Sequence, residues 1–87
     1  DPKDREAIFA VHFRRKPLAK DVHSKELAER TEGFSGADIA AVVRKAAMMA
    51  VRYAVSSMEK AGSGEPDILI RRKDLEEALE EVRRGMG

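Results

Sequence analysis

The residues of this chain best suited to chemistry fall in one short stretch, Thr31-Glu32-Gly33-Phe34-Ser35-Gly36-Ala37-Asp38-Ile39. Gly33 is the residue type that ends a helix in the left-handed conformation, and Ser35 the type that starts the next. Asp38, three positions after Ser35, completes an Asp version of the capping box. Gly36 and Ala37 then occupy the first turn of a helix, where backbone N–H groups are not all used within the helix. Their side chains are minimal, so a flat ligand can approach that backbone closely. The same spacing also has a plain structural reading, a helix stop followed by a capped start, and the residues alone leave both open. His12 is the other candidate. Neutral imidazole can donate, accept and stack on a base, although a histidine at the edge of a core needs no such role. His12 and His23 have neither cysteine partners nor the HExxH spacing, so no metal site is expected.

What is missing bounds the chemistry further. There is no GxxxxGK[ST] segment to cradle phosphates. No apolar strand ends in a pair of acids, and no arginine finger can be assigned. Phosphoryl transfer depends on such positioned charges, so no catalytic residue is assigned. Cysteine is absent, which excludes disulfides and thiolate metal ligands. Charged residues make up 38% of the chain, yet the net charge is only +1. Interspersed charge of both signs reads as a solvated surface, and a nucleic-acid binder would show a stronger basic excess. Arg14-Arg15-Lys16 and Arg71-Arg72-Lys73 are the two basic triplets, and neither is interleaved with aromatics. The apolar segments are short and interrupted by charge, so no membrane span is expected.

The 87 residues allow one domain, and four helices with one short extended piece account for most of them. The first helix is predicted from about Pro2 to Phe13, with Asp1 as its cap and Pro2 in its first turn. Ile8, Val11 and His12 are expected on one side, with Phe9 and Phe13 beside them. Pro17 to Val22 is a connector. The second helix is predicted from about Ser24 to Thr31, with Ser24 as cap and Leu27 and Ala28 facing inward. The third starts after Ser35 and extends to about Lys60. Its inward stripe of Ile39, Val42, Val43, Ala46, Ala50, Tyr53 and Ala54 follows the three-and-four spacing of a buried face. Ala61 to Pro66 is a loop rich in breakers, and Ile68-Leu69-Ile70 is read as extended. The fourth helix is predicted from about Lys73 to Arg84, with Leu75, Ala78, Leu79 and Val82 inward and Glu80 paired with Arg83 or Arg84. The fold class is therefore all-α, a small four-helix bundle.

Gly33-Phe34-Ser35-Gly36-Ala37-Asp38-Ile39 resembles the GxSGADL/I segment that opens the third lid helix of classical AAA-type ATPases. The likeness extends along the chain in order. It includes a first helix carrying His12 near its end, the connector Pro17-Leu18-Ala19-Lys20-Asp21-Val22, and Leu27 to Gly33. It continues through the Ala-rich run from Ala46 to Arg52 and Lys73-Asp74-Leu75-Glu76-Glu77-Ala78-Leu79. Within the family it is most similar to the archaeal valosin-containing-protein-like group, second ATPase ring.

The resemblance implies that residues 1–87 form a AAA+ lid subdomain cut from a longer chain. It implies that Gly36, Ala37 and His12 contact the adenosine of ATP or ADP, with Mg²⁺ held by the missing large subdomain. It further implies a cytoplasmic hexameric ring that unfolds protein substrates, in which the lid contacts the large subdomain and neighbouring subunits. The isolated chain is expected not to hydrolyse ATP. Ala37 stands where many AAA+ lids carry an Arg, so no phosphate-sensing Arg is assigned, and Arg44 and Arg52 are expected at the surface or a subunit interface. His23-Ser24-Lys25 departs from the family's acidic residue after Val, and His23 is expected to be exposed. Met48 and Met49 are read as secondary packing or as a patch against an adjacent subunit. A helical protein-interaction module and, less well supported, a nucleic-acid-binding module remain the alternatives.

Overall fold

The computed structural model describes residues 1–62 and 64–86. Helix α1 spans Pro2–Phe13, and the Asp1 carboxylate accepts from the Lys3 N–H at 3.1 Å. Its buried face is Arg5, Phe9 and Phe13, spaced four apart, and the two phenyl rings lie 5.7 Å centre to centre. Val11 is 52% exposed. Two residues beyond Phe9, it lies roughly 160° around the helix from the buried centre. Ile8 and His12 flank that centre and are half-buried.

Helix α2 is short, Ser24–Glu29, and buries Leu27 and Ala28. Ser24 is not its cap; His23 holds that position, exposed and without a side-chain cap bond. The helix also stops before Thr31, for a visible reason. The Thr31 hydroxyl donates to the Leu27 carbonyl at 2.9 Å. The buried Arg5 guanidinium donates from Nε and Nη2 to the Ala28 carbonyl at 3.0 and 2.9 Å. These side chains bond the carbonyls of the last turn alongside the Arg30 and Thr31 N–H groups, at 3.2 and 3.4 Å, and so close the helix end. Gly33, at φ +87°, then redirects the chain.

Helix α3, Gly36–Ala61, is the spine. Its capping box is complete: Ser35 N–H donates to Asp38 Oδ2 at 2.8 Å and Asp38 N–H to Ser35 Oγ at 3.1 Å. It ends at Gly62 in the left-handed region. Ile39, Val42, Val43, Ala46, Ala50 and Ala54 are buried as expected. Tyr53 is not, at 54% exposure. It keeps the periodicity of the stripe, but it borders an open depression shared with Ser57, Met58 and residues 65–67. The Arg71 guanidinium covers its ring 3.8 Å from the centroid.

Helix α4, Arg72–Gly85, runs antiparallel to α3, with Tyr53 against Arg71 at one end and Lys45 Nζ 3.8 Å from Glu81 Oε1 at the other. Leu75, Ala78, Leu79 and Val82 are buried, and Glu80 pairs with Arg83. Two remote or local carboxylates order its start. Asp74, 3% exposed, accepts from the Arg71 N–H at 2.9 Å, and Asp21 accepts from the Arg72 N–H at 3.1 Å. Removing the first, in Asp74→Ala, is expected to lower stability by about 1–2 kcal/mol. Urea denaturation followed by circular dichroism measures it.

Of the predicted extended run, Ile70 alone pairs, in a parallel bridge to Leu18; Leu69 is 42% exposed, and no strand occurs among the described residues. Ile70 donates to the Pro17 carbonyl at 2.8 Å and accepts from the Ala19 N–H at 2.9 Å, so the connector is tied to the entry of α4. In the predicted 61–66 loop, Ala61 is still helical and Ser63 lies outside the described residues. The all-α bundle is thus α3 flanked by α4 and α1, with α2 packed on α1.

Candidate functional site

The capping box decides which backbone groups are free. Ser35 and Asp38 use each other, and Ile39 N–H donates to the Ser35 carbonyl at 3.0 Å. The Gly36 and Ala37 N–H groups between them donate to no partner among the described residues. Both residues are exposed.

Gly36 is not required by the backbone, because its φ lies outside the left-handed region that Gly33 and Gly62 occupy. Nor is it required by packing. A Cβ on Gly36 would meet Ile8 Cδ1 at 4.0 Å, an ordinary contact. That contact locates the site, since Ile8 lies one turn before His12 on α1. Gly36 and His12 therefore lie along one seam between α1 and α3. His12 is half-buried and opens into a groove of about 490 Å³ that Ala40 and Val43 also line. Lys16 Nζ donates to the His12 carbonyl at 2.7 Å and closes the end of α1. The structure thus sets Gly36 beside α1 at Ile8, one turn before His12, but the groove that His12 lines includes neither Gly36 nor Ala37.

Sequence reasoning missed Arg5 altogether. A lone Arg in a charged first turn reads as solvated, and nothing local shows that the end of α2 lies above it. Met48 and Met49 separate: Met48 is 55% exposed, whereas Met49 packs against the core. Arg44 and Arg52 are exposed, as expected.

The clearest electrostatic perturbation lies away from this seam. The neighbouring Arg71 guanidinium, then the Ser57 hydroxyl, hold the Tyr53 phenol below the ordinary tyrosine value, with the Arg71 charge acting in the same direction. Tyr53 is the chain's single tyrosine, and tryptophan is absent. An absorbance titration should therefore give one phenolate midpoint, below that of free tyrosine, and Arg71→Met should raise it. The lowered value favours the folded state only at alkaline pH. The gain appears as pH rises through the folded midpoint, is complete above the unfolded one, and is absent near neutrality.

The four-helix architecture and the capped, small-residue start of α3 define the chain as a small all-α bundle. Residues 21–61 match the family described as the AAA+ lid domain, and the chain belongs to that family. It is 49% identical over 86 residues to the Cell division cycle protein 48 homolog of Archaeoglobus fulgidus, covering 95% of this chain and 12% of that protein. It is 42% identical over 82 residues to the ATP-dependent zinc metalloprotease FtsH 1 of Methylacidiphilum infernorum, covering 94% of this chain and 11% of the relative. The corresponding FtsH of Thermus thermophilus is 42% identical over 85 residues, 98% of this chain and 12% of the relative. The chain therefore spans about an eighth of the length of these curated relatives.

Proposed function

We propose that this lid closes over the adenosine of ATP or ADP held by the large subdomain of a AAA ATPase. In this reading Gly36 and Ala37 face the base and ribose, and His12 contacts the adenosine from α1. The observation that carries it is Gly36: an exposed glycine at a helix start with unpaired N–H groups, required by neither the turn nor the packing. A flat ligand approaching that backbone supplies the missing reason for a residue with no side chain. Nucleotide state would then set the angle of lid against large subdomain, a hinge type of switch. A neighbouring subunit of a hexameric ring would receive that motion and use it on protein substrates. Hydrolysis itself, with Mg²⁺, belongs in this reading to the large subdomain, and the isolated lid has no ATPase activity. The archaeal valosin-containing-protein-like assignment, the second ring and a cytoplasmic setting are parts of the same proposal. No helix among the described residues is long and apolar enough to cross a membrane.

The test is an amide chemical-shift titration of the labelled chain with ADP, with duplex DNA as a parallel control. Weak shifts confined to His12, Gly36, Ala37 and their neighbours support adenosine contact. Stronger shifts with DNA at the two basic triplets, lost in salt, would replace it with nucleic-acid binding.

A further inference from the structure

Arg5 is the one buried cation among the described residues, and no carboxylate there lies within ion-pair distance of it. Asp1, Glu29 and Glu32 border the same open depression, but none reaches the guanidinium. Burying a cation without a counter-charge is costly, and an apolar side chain of similar size often serves stability as well. What the guanidinium alone supplies is direction. Its planar fork grips a single acceptor, the Ala28 carbonyl, from Nε and Nη2 at 3.0 and 2.9 Å, and so fixes how α1 meets the end of α2.

The same carbonyl anchors the turn that leads into α3. The Thr31 hydroxyl and N–H reach it at 3.3 and 3.4 Å, and Thr31 is fully buried. The Thr31 carbonyl in turn accepts from the N–H of buried Phe34 at 3.0 Å. Glu29 to Ser35 is thereby pinned at Thr31 and Phe34, and Ser35 caps the helix whose first turn is Gly36 and Ala37. Helix α1 touches this path at both ends. Arg5 holds Ala28, and Ile8 lies beside Gly36, 4.0 Å from where a Cβ would stand. Residues three apart share a face of a helix, so a slip of the α2 end along α1 would carry the start of α3 with it.

We infer that Arg5 is a positioning residue: its forked bond to the Ala28 carbonyl sets where Gly36 and Ala37 present their free N–H groups. This rests on the reading that adenosine meets that edge, and Arg5 itself touches no nucleotide in it.

Two variants of the labelled 87-residue chain test it. Arg5→Met keeps an apolar stem and removes the donors, while the Ala28 carbonyl retains its Thr31 bonds. Arg5→Lys keeps the charge on a single ammonium. Without nucleotide, Arg5→Met should speed amide exchange at Thr31 and Phe34 at least about tenfold and leave Val42 and Val43 in α3 close to wild type. In the ADP titration, the apparent Kd read at Gly36 and Ala37 should rise at least about threefold, with Arg5→Lys between. A role in stability alone predicts the reverse: faster exchange throughout α3 with the Kd unchanged. That pattern overturns the positioning role, as does an unchanged Kd in both variants while the wild-type chain responds to ADP. No response at Gly36 and Ala37 in the wild-type chain is a separate failure, which removes the adenosine from this edge and the role of Arg5 with it. Should Arg5→Met not fold, Arg5→Lys decides by the same two readings.

Discussion

Phe9→Ala is expected to lower unfolding free energy by about 3–5 kcal/mol. Phe9 is fully buried, stacks near Phe13, and stands where α1 meets α3. A domain of this size has a total stability of about 4–13 kcal/mol, so the substitution removes a large share of it. Equilibrium urea denaturation followed by circular dichroism measures the loss. Val11→Ala is the control on the same helix. Val11 is about half exposed, and its truncation should change stability by about 0.5 kcal/mol or less. Similar losses at the two positions would mean that α1 packs through a different face.

Gly36→Leu should produce the largest functional effect. In a AAA ATPase carrying this lid, it is expected to weaken ADP binding at least about tenfold, a cost of about 1.4 kcal/mol or more. The bulk would stand where the proposed adenosine lies, while the exposed position and ordinary φ leave the fold intact. Gly36→Ala should weaken binding less and leave the melting temperature unchanged or slightly higher, since alanine favours helix over glycine. A fluorescent-ADP titration and a thermal melt of the same samples separate the two effects. Unaltered ADP affinity in Gly36→Leu would remove the adenosine from this edge. A fall in melting temperature for both variants would make Gly36 a packing residue instead.

Much of the fold was readable before any coordinates, because the signals are local. Asp1 with Pro2, and Ser35 with Asp38, are short-range devices whose geometry follows from adjacent backbone atoms, and both are realised. The α3 stripe from Ile39 to Ala54 is read off by periodicity alone, apart from Tyr53. The reading failed where a partner distant in sequence decides. Ser24 looked like a cap, yet α2 begins at it, and its far end is set by Arg5 twenty-three residues earlier. Tyr53 follows the stripe but meets Arg71 instead of a core.

The candidate site divides in the same way. The sequence by itself determined that residues 35–38 cap a helix and that Gly36 and Ala37 lie in its first turn, because those interactions span three residues. It also marked His12 as an imidazole near the end of α1. The tertiary structure alone decided that α1 lies along α3, with Ile8 beside Gly36 and His12 on a groove with Ala40 and Val43. It alone decided that Asp21, 51 residues before Arg72, accepts from the start of α4 and that Met48 faces open space. Capping and periodicity are properties of a few consecutive residues. Which helix face is covered depends on where the other helices pack, and that is settled only when the whole chain buries its apolar surface together.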